Sequence, residues 1–209
     1  MLYLIYLGIV AIGLAFVFYY RLKNLNNEII FYCGFLLAVI ALALLPFVDP
    51  LMLAGYFAEA LFMIPRVSTF AMIAGFISIN IGIYGIHMLA TSYNLLKEAR
   101  KRGIFLSQNQ FLKRRFPIFA SFHLLGICYF VLMGSPVGII TMNIIAFFLY
   151  LECRRVEKKI LIPNFGERYL KYKQQVRRRM YSDDMLILFI ILHGVFGVGV
   201  MGLMFFSYL

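Results

Sequence analysis

Phe111-Leu-Lys-Arg-Arg115-Phe-Pro117-Ile-Phe119 opens the stretch on which the fold turns. Glu152-Cys-Arg-Arg-Val-Glu157-Lys-Lys-Ile-Leu-Ile-Pro-Asn-Phe165-Gly166-Glu-Arg-Tyr169-Leu-Lys-Tyr172 closes it. Between the two lies an apolar hairpin that bends at Gly134-Ser135-Pro136. A hairpin returns the chain to the surface it left. The polar groups on its flanks are therefore expected to meet at one membrane surface, with the rest of the chain forming the wall around them.

The membrane follows from composition. The chain is 63% hydrophobic and 14% charged, with a mean hydropathy of +0.88. Soluble domains carry about 25% charged residues. Apolar runs of about 18 residues or more supply spans, and so little remains outside them that one membrane domain over 1–209 is the expected count. The net charge of +11 does not point to nucleic acid. All 20 Lys and Arg except Arg66 fall in three short segments between apolar runs, 21–28, 93–115 and 152–182. That is the positive-inside pattern of cytoplasmic loops, and such charge also attracts anionic lipid headgroups. The setting is then a cell membrane or, in a eukaryote, the endoplasmic reticulum. Cys33, Cys128 and Cys153 are odd in number and widely spaced, which gives neither a disulfide framework nor a zinc spacing.

Six spans are expected in an all-α fold: 2–20, 29–47, 68–92, 116–133, 136–151 and 185–208. The first lacks a basic flank or cleavage site and reads as a retained span. The segment 51–64 is too short to cross, at about 1.5 Å per residue against a hydrocarbon core of about 30 Å. It reads as an interfacial or re-entrant helix. Counting it as a span would also put the basic 93–115 loop outside. Ala71, Gly75, Ser78 and Gly82 offer a neighbouring helix close approach. Asn80, Tyr84, His87 and Thr91 form a polar stripe on the inner half of the same helix. Pro136 suits the first turn of the hairpin's second arm. The tail 152–182 reads as two short helices broken at Pro163-Asn164, the second amphipathic through Phe165, Tyr169, Tyr172 and Val176.

The chain has no phosphate-binding glycine loop, no His-Glu-x-x-His and no nucleophile elbow. Its three histidines stand in three different spans, so no metal site is expected. What remains is a cytoplasm-facing pocket with Arg115, Glu157, aromatics and polar groups of the third span. Such a pocket suits a reaction that needs positioning more than proton traffic. Methyl transfer from a sulfonium donor is one: an Arg can clamp a carboxylate, a Glu can accept from ribose hydroxyls, and aromatic faces can flank the sulfonium.

These residues resemble the isoprenylcysteine carboxyl methyltransferase and phospholipid methyltransferase superfamily. That superfamily carries Arg-His-Pro-x-Tyr at the start of a helical hairpin. Later come Glu-Glu-x-x-Leu-x-x-x-Phe-Gly-x-x-Tyr-x-x-Tyr and a Val-Pro-Arg-like ending. Here Arg115 and Pro117 match the first motif. Glu157, Leu161, Phe165, Gly166, Tyr169 and Tyr172 match the second in unbroken register, and Val176 with Arg178 resembles the ending. Phe116 stands in place of the His, Phe119 in place of the Tyr, and Lys158 in place of the second Glu. The resemblance covers 111–180, within a methyltransferase-like core of 93–182, and the span at 185–208 looks like an addition.

The resemblance implies S-adenosylmethionine as cofactor and a lipophilic acceptor, a prenylcysteine carboxylate or a lipid headgroup, entering from the bilayer. It implies cofactor contacts at Arg115, Pro117, Glu157 and Tyr169, with Phe116 and Phe119 lining the pocket. Asn80, Tyr84, His87 and His123 are the candidates for the acceptor side. His193 and Cys153 read as structural. This reading requires a nucleotide-sized cavity around Arg115 and Glu157. The alternative is a catalytically degenerate member acting as a membrane scaffold or binding partner, which the three substituted motif positions would explain.

Overall fold

The computed structural model describes residues 8, 13, 39–47, 68–102 and 109–206, and among them there is helix and turn but no strand. The expected span 2–20, most of the span 29–47, the segment 51–64, Cys33 and Arg66 lie outside the described residues. The elements that position the site are α1 (Ser68–Arg102), a short α2 (Gln110–Lys113), α3 (Pro117–Leu132), α4 (Pro136–Val156), α5 (Ile162–Gln175) and α6 (Asp183–Phe206). A π turn, Glu157–Leu161, joins α4 to α5. Two helical runs, Ile73–Ala99 and Pro136–Gln175, are long and apolar enough to cross a membrane, while α3 is shorter.

The α3–α4 hairpin forms where the sequence places it. Gly134 takes φ +63° at the turn, a conformation glycine adopts without strain. Ser135 then caps α4 by accepting from the Gly138 N–H at 3.0 Å, with Pro136 in the first turn. The arms press together closely. A Cβ on Gly138 would lie 2.1 Å from the Phe130 ring, and one on Gly126 would lie 2.5 Å from Met142 Sδ. α1 runs along α3, with Gly75 against Leu132, Gly82 against Cys128 and Ser78 fully buried, so the small-residue face makes the close approach expected of it.

Two boundaries differ from expectation. α1 does not stop at residue 92. It continues to Arg102 through Asn94-Leu-Leu-Lys-Glu-Ala-Arg, which holds strong helix formers and neither Gly nor Pro. The tail does not break at Pro163-Asn164. Pro163 lacks an N–H and would crowd the carbonyl four residues back. The π turn just upstream instead carries the Ile162 N–H to the Glu157 carbonyl, and Pro163 begins α5 without interrupting the helix. The break comes at Gly166, at φ +48° and ψ −125°, where an L-residue would be strained.

The core gathers Met88, Phe116, Leu124, Ile127, Phe130, Met142, Met185 and Leu192. Tyr169, Tyr172 and Val176 form a second buried cluster under Phe165, Leu161 and Ile162, the expected amphipathic face of α5. Burial is otherwise inverted for a water-soluble protein. Ile73, Phe76, Ile79, Ile83 and Ile86 on α1 are each more than half exposed, while Arg114, Arg115, Ser121, His123 and Glu157 are buried.

Candidate functional site

Arg114 is the residue on which the local geometry depends. It ends α2 in an extended conformation, φ −153° and ψ 146°, and extended backbone sends consecutive side chains to opposite sides. Arg114 turns toward α1 and α6. Its Nη2 donates to Asp184 at 3.2 Å, and its Nη1 lies 3.0 Å from Met88 Sδ. Lys113, at 3.6 Å, and the Tyr84 hydroxyl, at 3.3 Å, reach the same carboxylate. Burial alone would raise the Asp184 pKa. The nearby Ser182 hydroxyl dipole and the charges of Arg114 and Lys113 outweigh it and hold the carboxyl below its ordinary value.

Arg115 turns the other way and meets Glu157, with Nη1 2.5 Å from Oε1. The two residues are 7% and 2% exposed, so this pair is desolvated. Two backbone bonds hold the approach. Arg115 and Phe116 donate their N–H groups to the carbonyls of Arg178 and Arg179 at 3.1 and 2.9 Å, which fastens the loop after α5 across the hairpin entrance. Arg179 thereby joins the pair, its Nε and Nη2 each 3.3 Å from a Glu157 oxygen. Its Nη1 donates to the Tyr150 hydroxyl at 2.6 Å. The Tyr169 hydroxyl stands within electrostatic reach of Arg115 and Glu157, and the Tyr172 hydroxyl donates to the Phe111 carbonyl at 2.5 Å.

Arg115, Glu157 and Tyr169 are thus brought together, with Pro117 starting the helix beside them. Phe116 is buried in the core and stacks on Phe119, ring centres 6.0 Å apart. No cavity separates Arg115 from Glu157, because the side chains touch. A cleft of about 360 Å³ lies beyond Tyr150 instead, lined by residues of α3, α4 and α6 with Tyr181. Of the acceptor-side candidates only His123 lines it. Asn80 is exposed and bonds back to the Phe76 carbonyl at 2.7 Å, His87 is exposed, and Tyr84 belongs to the Asp184 cluster.

Arg179, Tyr150 and Asn143 were not singled out by sequence reasoning. Arg179 hides in the run Arg177-Arg178-Arg179, which looks like ordinary positive-inside charge, and only the backbone pairing with Arg115 and Phe116 distinguishes it. Among the described residues no three His, Cys, Asp or Glu side chains gather as metal ligands. Searches of family models, curated proteins and solved structures find no match to this chain.

The charge balance at the site bears on what it can hold. One carboxylate, Glu157, faces two guanidiniums, so the cluster carries a surplus positive charge. The neighbouring acids Glu152, Asp183 and Asp184 pair with Arg155, Arg178 and Arg114. Among the described residues Arg115 Nε also has no hydrogen-bond partner. An anionic ligand group suits this surplus. To reach Arg115 it would take the place of Glu157, which would still keep Arg179.

Proposed function

We propose that this chain is a six-span membrane protein of the isoprenylcysteine carboxyl methyltransferase and phospholipid methyltransferase type. Its reaction is transfer of a methyl group from S-adenosylmethionine to a lipophilic acceptor at the cytoplasmic face. The supporting observation is the cluster of buried Arg115 and Glu157 with half-buried Arg179, which joins both ends of the resemblance and has one positive charge to spare. In this reading Arg115 binds the donor's carboxylate and Arg179 keeps Glu157 oriented as it turns to the ribose hydroxyls. Tyr169 closes the cluster toward α5. The bound donor supplies an activated methyl group, and the protein contributes alignment and exclusion of water. Calorimetry of the purified chain with S-adenosylmethionine tests this. Saturable heat that Arg115→Ala abolishes is the expected result, and no heat at millimolar cofactor in both detergent and lipid rejects it.

A second reading has its own observation. The Arg115–Glu157 contact is already closed, and Phe116, standing where the family has His, is packed into the core. A degenerate member serving as a scaffold would keep the pair as a clasp. Such a protein gives no cofactor heat, yet Arg115→Ala and Glu157→Ala still lower its melting temperature.

A further inference from the structure

The cleft beyond Tyr150 has its own chemistry, apart from the arginine cluster. Its walls are largely apolar, with Ala146 and Phe147 from α4 facing Leu186 and Phe189 from α6. Three imidazole and amide groups interrupt them. His193 Nδ1 lies 2.8 Å from the Phe189 carbonyl, which only accepts, so Nδ1 carries the proton. Nε2 is therefore the acceptor for Asn143 Nδ2 at 3.1 Å. The same Nδ2 also donates to the Ile139 carbonyl at 3.0 Å, so both amide hydrogens are used.

His123 differs. It is 5% exposed, and its ring lies 4.5 Å from that of Phe189. Its Nδ1 pairs with the Tyr181 hydroxyl at 2.8 Å. A bare imidazole nitrogen is a stronger acceptor than a phenol oxygen, and the phenol O–H is the natural donor between them. Nδ1 is thus the acceptor, and Nε2 bears a hydrogen. The Asn143 side chain attracts the ring proton, but it stands outside good hydrogen-bond geometry, and Nε2 is buried with no partner at that geometry among the described residues. A buried donor left unmade forfeits its full hydration, which gives any acceptor entering the cleft an advantage. Among the described residues no charged side chain lines the cleft, and a charged head would be desolvated there without compensation. On either side Ile144, Ile187 and Ile190 are exposed, so a ligand's chain can continue along outward-facing apolar surface.

We propose that this cleft binds a single-chain amphiphile by an uncharged oxygen acceptor, an ester or ketone carbonyl. The carbonyl accepts from His123 Nε2–H, and the chain lies against Phe147, Leu186 and Phe189. The probe is the methyl ester of a mid-chain diazirine fatty acid, added to the full chain in phosphatidylcholine nanodiscs and photolysed without S-adenosylmethionine. Adducts are expected on peptides of α4 and α6, displaced about tenfold more effectively by methyl palmitate than by hexadecane. His123→Phe keeps the aromatic stack and removes the donor, so the two competitors should become equivalent. Should that variant fail to fold, Ala146→Phe fills the cleft from the opposite wall and must abolish the adducts. Adducts elsewhere, or equal competition by ester and hydrocarbon in the unmodified protein, overturn the proposal; the second outcome would mean that the donor is served by water. The ester probe has no nucleophile to methylate. Cleft adducts in a protein that gives no cofactor heat would therefore sink the methyl-transfer reading alone, and cofactor heat without cleft adducts would sink this one alone.

Discussion

Arg114 and Arg115 are neighbours of the same type with different work to do, and the extended backbone at Arg114 sends them to opposite sides. On the Arg115 side the three charges are unequal in what they leave behind when removed. Glu157→Gln strands two guanidiniums, one of them desolvated, and should cost about 3–5 kcal/mol, the range for breaking a buried pair. Arg115→Gln leaves Glu157 with Arg179 and should cost less, and Arg179→Gln, at the solvent edge, least. Thermal melting in one detergent gives the order; an Arg179 variant as damaging as the Glu157 variant would refute it. On the Arg114 side the dependence is on pH. The folded pKa of Asp184 lies below its unfolded value of about 3.9, so its contribution is complete above that value and is lost as pH falls through the folded pKa. The unmodified chain should lose melting temperature through this window, and Asp184→Asn should start lower at pH 7 and lose less. Sequence showed that Arg115 and Glu157 belong together. It could not show that they touch, because spacing fixes which surface two residues share and leaves open the few ångströms between a pocket and an ion pair.

At the scale of elements, most of what was legible came from residues with a fixed backbone consequence. Pro136 begins α4, Ser135 caps it, and Gly134 makes the turn, as their chemistry requires. Pro163 misled for a physical reason: a proline's cost can be absorbed by a π turn upstream, and no local signal in Glu157-Lys-Lys-Ile-Leu161 announces one. Gly126 and Gly138 were invisible as contacts because helical glycines look alike until a partner helix is placed. They also predict different outcomes. Alanine at 138 meets the rigid Phe130 ring at 2.1 Å, so the hairpin must open, at about 1–3 kcal/mol. Alanine at 126 meets the flexible thioether of Met142, which can move aside. Gly138→Ala should therefore lower the melting temperature clearly more than Gly126→Ala. Equal losses would mean that the arms are not packed in this register.

For the whole molecule the question is whether the hairpin crosses the bilayer. α3 has 16 residues, about 24 Å at 1.5 Å per residue, against a hydrocarbon core of about 30 Å. The apolar part of α4, from Pro136 to Leu151, has a similar reach. A mismatch of this size costs fractions of a kcal/mol per ångström and is met by local thinning. A crossing hairpin is therefore affordable, and the six-span reading needs one, because the turn at Met133 must then emerge opposite the basic segments. Thiol labelling decides it. Cys128 and Cys153 are buried, and burial holds the Cys153 thiol above its ordinary pKa, so neither should react with an impermeant maleimide in the folded protein. With Cys33 replaced by Ser, single cysteines at Leu112, Lys158 and Lys171 should label from the cytoplasmic side of sealed vesicles. A cysteine at Met133 should label only from the other side. If it labels from the cytoplasmic side, the hairpin dips into one leaflet and returns, and the span count falls to four. The flanks of the hairpin would still meet at one surface, so the cluster of Arg115, Glu157 and Arg179 would survive that result unchanged.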